Sequence, residues 1–453
     1  MLLRIISISL MLVVMSGCST TSNMKSVIDP TLNQNGGITI IADTCIMRDE
    51  IGTDVADDYF VIAESKELSQ AILNASSNYL AGSGVQVREA IIPFVCGAAH
   101  DKGNSNKLVA DEANGDLKDI KQPFGINTQI KPDKEYTDAL SILSTYTAQY
   151  LSGATASDYL VALDKIKTSA GIIANRTNSD KILLFNVSGT SISSGKAFGQ
   201  SIGKFFVGLG TAVATAGLGT GYYAYYIPGG DIDAVYIGAA VIDLESGFIS
   251  WSNSLSVFED PFDADDISDD EVIDRLLFDM VHKSPAALSI AAESVEIVKN
   301  SIESNVFIAD LAKPEKYDAR CRGGSGIRNA QSIQRPIQEA FNRILKSAGR
   351  YDLENGTKLT GTLDKIALST SPSDAWWDME LTLENEYGKS MTVQSHYDFE
   401  SSFRGSAACM QSGEAFRSAI QSLIKDAIND PAFTNLLTRD APELEQASMQ
   451  TKE

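Results

Sequence analysis

Apolar and polar positions change rhythm several times along this chain, and each rhythm predicts an element. Ile38 to Thr44 is a short apolar run rich in β-branched residues, the mark of a buried strand, and Tyr59 to Ala63 reads as another. Leu68, Ala71, Ile72, Ala75 and Tyr79 then recur at helical spacing up to a stop at Gly82. Val85 to Val95 returns as a strand, which completes a β-α-β unit. His100 to Lys134 has no period, is rich in Gly, Asn and Asp, and reads as a long exposed loop. Leu140, Leu143, Tyr146 and Tyr150 mark one helix; Leu160, Leu163, Ile166 and Ala170 mark a second, stopped by Gly171. Lys181 to Val187 is a buried strand, and Ile232–Leu244 with Phe248–Phe258 form a hairpin around Glu245-Ser246-Gly247.

Further on, Glu259 to Asp274 is crowded with acids and carries no base. It lacks the Gly and the ligand order of an EF-hand, so a solvated loop leading into a helix is the simpler reading. Ser268 and Glu271 fit a capping box, followed by Val272, Ile273, Leu276, Leu277 and Met280 on one helical face. From Asn305 the pattern is a strand, then a helix through Ile337, Ala340, Phe341, Ile344 and Leu345 with Pro336 in its first turn and Gly349 as its stop. Three strands follow. In the middle one, Trp377, Met379, Leu381 and Leu383 alternate with Asp378, Glu380, Thr382 and Glu384, as in a strand with one wet face. A last helix carries Phe416, Ala419, Ile420, Leu423, Ile424 and Ile428, and Pro431 ends it. The predicted class is a mixed α/β domain over 38–300, with a β-α-β unit and a Gly-rich apolar insertion, then a C-terminal α+β domain over 301–437. In the second, an antiparallel meander lies under two helices. Ser19 to Gly37 reads as a tether after a signal peptide (residues 1–17), and 438–453 as a disordered polar tail.

One stretch breaks every rhythm. Phe205 to Gly230 holds no charge; its ends are aromatic (Phe205, Phe206; Tyr222, Tyr223) and its middle is small (Gly208, Gly210, Gly217, Gly219, Gly221). Three readings stay open, in this order: close packing of backbones at the small residues, insertion of 205–227 into a membrane, and a Gly-rich loop. Glycine weakens the membrane-helix version by about 1 kcal/mol per residue relative to Ala.

Composition narrows the partners. Over 453 residues the net charge is −22, with 43% hydrophobic and 21% charged residues, an ordinary globular balance over two or three domains. So acidic a chain is a poor match for nucleic acid or anionic headgroups, both of which need clustered Lys and Arg. At the N-terminus, Arg4, the apolar run Ile5–Met15 and the small pair Ser16-Gly17 form an export signal ahead of Cys18. Met15-Ser16-Gly17-Cys18 resembles the lipobox of bacterial lipoproteins, with Met where that family usually has Leu. The resemblance implies cleavage before Cys18 and lipidation of Cys18; with Ser19 next, it implies sorting to the outer membrane. Several acyl chains make a firm anchor.

Cys45, Cys96, Cys321 and Cys409 remain, with no C-x-x-C spacing. In an oxidising periplasm they suggest two disulfides, Cys45–Cys96 and Cys321–Cys409, one within each domain; four free thiols are the alternative.

The text around Asp243, Ser246, Gly247 and Trp251 resembles the curli-secretion-channel and peptidoglycan-synthase-activator superfamily of periplasmic lipoproteins. There a strand ends in Asp, a Thr/Ser-Gly turn follows, and the next strand carries Trp. In curli-type channels such a domain pushes apolar hairpins into the outer membrane, so the resemblance implies the same option for 205–227.

Catalytic patterns are thin. Gly199-x-Ser201-x-Gly203 with Asp243 and His282 follows hydrolase order, but no strand precedes the serine. Gly195-Lys196 lacks the spacing of a phosphate loop, with Ala197 where Ser or Thr would bind magnesium. His100, His282 and His396 have no metal-ligand spacing. The expected function is therefore a non-enzymatic, outer-membrane-anchored scaffold or assembly factor of the cell envelope, without cofactor or metal, contacting envelope proteins and possible further copies of itself. An oligomeric pore through 205–227 is the alternative, and a hydrolase using Ser201 the lesser one.

Overall fold

The computed structural model describes residues 27–33, 36–49, 59–92, 94–95, 108–110, 117–119, 124–125, 133–151, 162–192, 234–257, 262–283, 285–312, 316–319 and 333–438. In chain order the first half comprises β1 (Ile38–Asp49), β2 (Tyr59–Val61), α1 (Ile62–Gly82), β3 (Val87–Ile91), β4 (Leu108–Ala110), β5 (Leu117–Asp119), α2 (Lys134–Leu151), α3 (Leu163–Thr177), β6 (Lys181–Ile192), β7 (Ala234–Asp243) and β8 (Ile249–Val257). One eight-stranded sheet runs β8-β7-β6-β1-β2-β4-β5, with β3 also paired to β1. β1 is parallel to both β3 and β6, and β6, β7 and β8 continue antiparallel.

This sheet is buried on both faces, which is why its central strands read as unbroken apolar runs. Ile38, Ile40, Leu183, Phe185, Ile237 and Ala239 share a core with Leu68, Ile72 and Leu73 of α1. The same core takes Ile273, Leu276, Leu277 and Met280 from α4 (Asp270–Val281). On the other face Ile41, Ile182, Leu184 and Ile242 pack against Leu140 and Leu143 of α2 and Ile166 and Ile173 of α3.

The second half contains α5 (Pro285–Ser301), β9 (Val306–Ala312), β10 (Lys316–Asp318), α6 (Gln334–Ser347), β11 (Thr357–Ser371), β12 (Asp374–Asn385), β13 (Ser390–Phe399), α7 (Gly405–Asn429) and α8 (Pro431–Leu437). The sheet order is β9-β11-β12-β13, with β10 also on β11. Its one buried face holds Leu359, Leu363, Trp377, Leu381 and Leu383, covered by Phe341 and Leu345 of α6, Leu423 and Ile424 of α7, and Phe433 of α8. The β11-β12-β13 meander is antiparallel as the alternation predicts, but β9 joins β11 in parallel, because α6 serves as a crossover between them. The sheet is thus mixed rather than wholly antiparallel.

Other expectations are corrected in detail. The presumed loop 100–134 contributes β4 and β5 to the large sheet, and Phe124–Gly125 pairs with Phe94–Val95. Strands of two or three residues are too short to show a period. The Val85–Val95 strand is likewise two pieces, β3 and Phe94–Val95. Helix α3 runs through Gly171, where an added Cβ would meet nothing, and stops instead at Asn178, whose φ of 51° supplies the left-handed cap. Asp269 caps α4 by accepting from the Glu271 amide, in place of Ser268. The tether is docked from Val27 onward: Val27 and Ile28 pair with Lys283 and His282, and Pro30–Asn33 forms a 3-10 turn with Leu32 buried.

The two adjacent tryptophans of β12 test the assignment of faces. Trp377 is fully buried and its indole N–H donates to the Ser412 carbonyl at 3.0 Å, whereas Trp376 lies on the wet face against His396. Urea denaturation is expected to show Trp377→Ala losing about 3–5 kcal/mol and Trp376→Ala about 1 kcal/mol or less. Equal losses would contradict the register.

Candidate functional site

β8 is the end strand of the large sheet, and an open edge invites pairing with other chains. Here helix α6 of the second sheet covers it. Arg335, Glu339, Arg343 and Lys346 are spaced four, four and three residues apart, so they form one stripe of that helix. The Arg343 guanidinium donates to the Ser250 carbonyl through Nη2 at 2.8 Å and Nε at 3.2 Å. Glu339 is 4% exposed, and its Oε1 accepts from Ser252 Oγ at 2.5 Å and Tyr150 Oη at 2.9 Å. Arg335 stacks 4.7 Å from the centre of the Tyr150 ring. Lys346 Nζ lies 2.6 Å from Asp243 Oδ1 and 2.7 Å from Ser246 Oγ. A different stripe of α6 serves its own sheet: Asn342 bonds both the amide and the carbonyl of Ile308, and Gln338 donates to Ile308 and Ala309.

The Asp243 turn explains the local sequence. Asp243 Oδ1 accepts from the Ser246 amide at 3.0 Å and hydroxyl at 2.7 Å, which closes the turn from β7 into β8. Gly247 follows at φ +69°, and a Cβ there would come within 2.9 Å of Ile166, so glycine is required twice over. Trp251 pairs with Val241 and is buried at 7% exposure.

Electrostatics sorts the two carboxylates of the seam. Burial pushes Glu339 above the ordinary range, and the hydrogen bonds from Ser252 and Tyr150 with the charges of Arg335 and Arg343 offset this only in part. Burial pushes Asp243 the same way, but Lys346 and the Ser246 bonds outweigh it and hold the carboxyl below its usual value. Burial and the neighbouring Glu339 raise Tyr150 well above an ordinary phenol. A cavity of about 500 Å³ opens beside the stripe, lined by Tyr146, Tyr150, Lys167, Phe248, Lys346 and Tyr351 among others.

The residues singled out from sequence fare unevenly. Asp243, Ser246 and Gly247 are brought together at this seam, whereas Trp251 packs into the core beneath α1 and α4. Cys18, Cys96, Cys321, Ser201 and the whole of 205–230 lie outside the described residues. Cys45 sits inside β1 rather than past its end and is disulfide-bonded. Cys409 falls within α7. Asp243 is committed to Lys346, and His282 is packed between Tyr79 and Phe278 rings, 6.4 and 4.8 Å away. His396 is exposed and bridges Asp378 and Asp398, whose hydrogen bonds raise its pKa. No group of metal-ligating side chains occurs among the described residues, and no described helix is long and apolar enough to cross a membrane. Sequence reasoning missed Glu339 and Lys346; their three- and four-residue spacing with Arg335 and Arg343 was the available signal.

No family model matches the chain, and no curated protein does. Among solved structures it is similar to protein XCC0632 from Xanthomonas campestris, of family DUF330, with 14% identity over 33% of this chain and 90% of that one. The TM-score is 0.21, too slight a likeness to build on.

Glu339 makes the seam pH-sensitive in a defined direction. Its folded carboxyl titrates above the unfolded one, so its contribution is full below the unfolded pKa and is lost as pH rises through the folded value. The stability advantage of wild type over Glu339→Gln, measured by urea denaturation, is expected to shrink as pH rises from 4 to 8. A constant or growing advantage would contradict a Glu339 carboxyl raised by burial.

Proposed function

We propose that this chain is a lipid-anchored, non-enzymatic scaffold or assembly factor of the bacterial cell envelope, held at the outer membrane through Cys18. The observation that carries the reading is the ladder of Val27 and Ile28 on Lys283 and His282. It pins the chain to the folded body nine residues after Cys18, so a lipid there holds the body within about 30 Å of the bilayer. The seam supports the scaffold part: its charged groups bond across two sheets, which suits a single rigid platform better than a catalytic site. Cys18→Ala is expected to move the protein from the membrane to the soluble fraction and to abolish palmitate incorporation. Retention in the membrane fraction would overturn the anchor.

A second reading is favoured by one observation. Thr190 of β6 pairs with Ala234 of β7, so residues 193–233 leave and return at one end of the sheet. That placement suits an apolar excursion into a bilayer from several copies, giving a pore or secretion subunit. Light scattering in detergent separates the readings: a ring-sized oligomer favours the pore.

The disulfide of Cys45 is proposed to reach Cys96. Val95, next to Cys96 in the chain, shares a core with Cys45. Peptide mapping without reductant is expected to recover Cys45 joined to Cys96; a link to Cys321 would overturn the pairing.

A further inference from the structure

The N-terminal strap is held in two unequal places. Near its end, Leu32 is 4% exposed, and Asn33 bonds the Gly84 carbonyl at 2.9 Å and the Gln86 amide at 3.0 Å. Nearer the N-terminus the grip is of another kind. Val27 and Ile28 are 40% and 41% exposed, so little apolar burial holds them, and the ladder spans two residue pairs. Asp29 closes this part: its amide donates to the Val281 carbonyl at 2.8 Å, and its Oδ1 accepts from the Thr31 amide and hydroxyl. Its Oδ2 faces Lys283 Nζ at 3.8 Å.

Lys283 is an unusual group to find there. It is 8% exposed, and its ammonium donates to the Asp279 carbonyl at 2.5 Å, a carbonyl that also accepts from Arg417 Nη1 at 2.9 Å. Two cations thus converge on the C-terminal turn of α4, where unpaired carbonyls favour positive charge. The charged groups around Lys283 are Asp29 on the strap, Asp279 on α4, Arg417 on α7 and Arg343 on α6. Arg417 is itself bound to the Asp279 carboxylate.

We propose that Lys283, Asp29 and the Val27–Ile28 ladder form a releasable latch that gives the membrane leash two lengths. Latched, the leash runs from Cys18 to Val27, about 30 Å at full stretch; released, it runs from Cys18 to Leu32, about 50 Å. The two lengths rest on the lipid-anchor reading; the latch itself does not. Proton uptake releases the strap. Burial first, then the Arg343 and Arg417 charges, depress the Lys283 ammonium to about 7 against the smaller pull of Asp29 and Asp279. Releasing the strap returns Lys283 to water and raises its proton affinity, so the released form binds more protons. Latching therefore tightens as pH rises above about 7 and reaches its weak limit below it.

The test is hydrogen exchange by mass spectrometry on the full mature chain carrying Cys18→Ala, with rates corrected for the intrinsic pH dependence of exchange. Using the lipid-free chain separates failure of the latch from failure of the anchor, which fractionation reads. Protection of residues 27–31 is expected to rise about tenfold between pH 7 and pH 9, while β1 stays unchanged. Lys283→Met is expected to be protected equally at both pH values. Lys283→Arg, charged throughout, is expected to stay weakly protected at both, which serves if the methionine variant does not fold. A rise of the same size in Lys283→Met or Lys283→Arg, or no rise in the parent chain, would overturn the latch.

Discussion

The structure turns on how one helix covers one sheet edge. β8 ends the eight-stranded sheet, and its outward carbonyl at Ser250 and side chain at Ser252 find their partners on α6, a crossover helix of the other sheet. Helix α6 therefore faces three ways. Its apolar stripe of Ile337, Phe341, Ile344 and Leu345 fills its own core, Gln338 and Asn342 tie it to β9, and Arg335, Glu339, Arg343 and Lys346 reach the neighbouring sheet. A charged stripe of this kind is expensive to bury unless each member is paired, and here the pairs cross the seam. Losing one partner strands another, so the two sheets are coupled by more than contact area.

Much of the fold was legible, and the exceptions have physical causes. Runs such as Lys181–Val187 and alternation such as Trp377 to Glu384 announce strands buried on two faces and on one. The parallel entry of β9 was not legible, because direction is set by the α6 crossover and not by strand composition. Short elements escaped for want of length: β4, β5 and the Val27–Ile28 strand span two or three residues each. The strap looked like a linker because Ser, Thr and Asn dominate residues 19–37, and what docks it is backbone pairing, the Asp29 carboxylate, the Asn33 amide and the buried Leu32. At the seam, Asp243, Ser246 and Gly247 were visible as a turn. Glu339 and Lys346 were not, since charged residues on an amphipathic helix ordinarily face water. Only the edge of the large sheet buries Glu339 and half-buries Lys346.

These features bear on function in the same direction. Val27 and Ile28 pair with Lys283 and His282, and the two sheets are joined by a polar seam. Ile192 and Ala234 end their strands at one end of the larger sheet, and the disulfide-bonded Cys45 lies within that sheet's longest parallel strand pair. Under the proposed anchor, such a body would be held at one of two distances from the membrane, set by the strap.

The central claim is that the seam makes the two sheets one cooperative body. Differential scanning calorimetry of the mature chain tests it most directly. The account predicts a single transition whose calorimetric and van't Hoff enthalpies agree, as expected when no half-unfolded form accumulates. Two separable transitions, each with the enthalpy of one sheet and its helices, would contradict it.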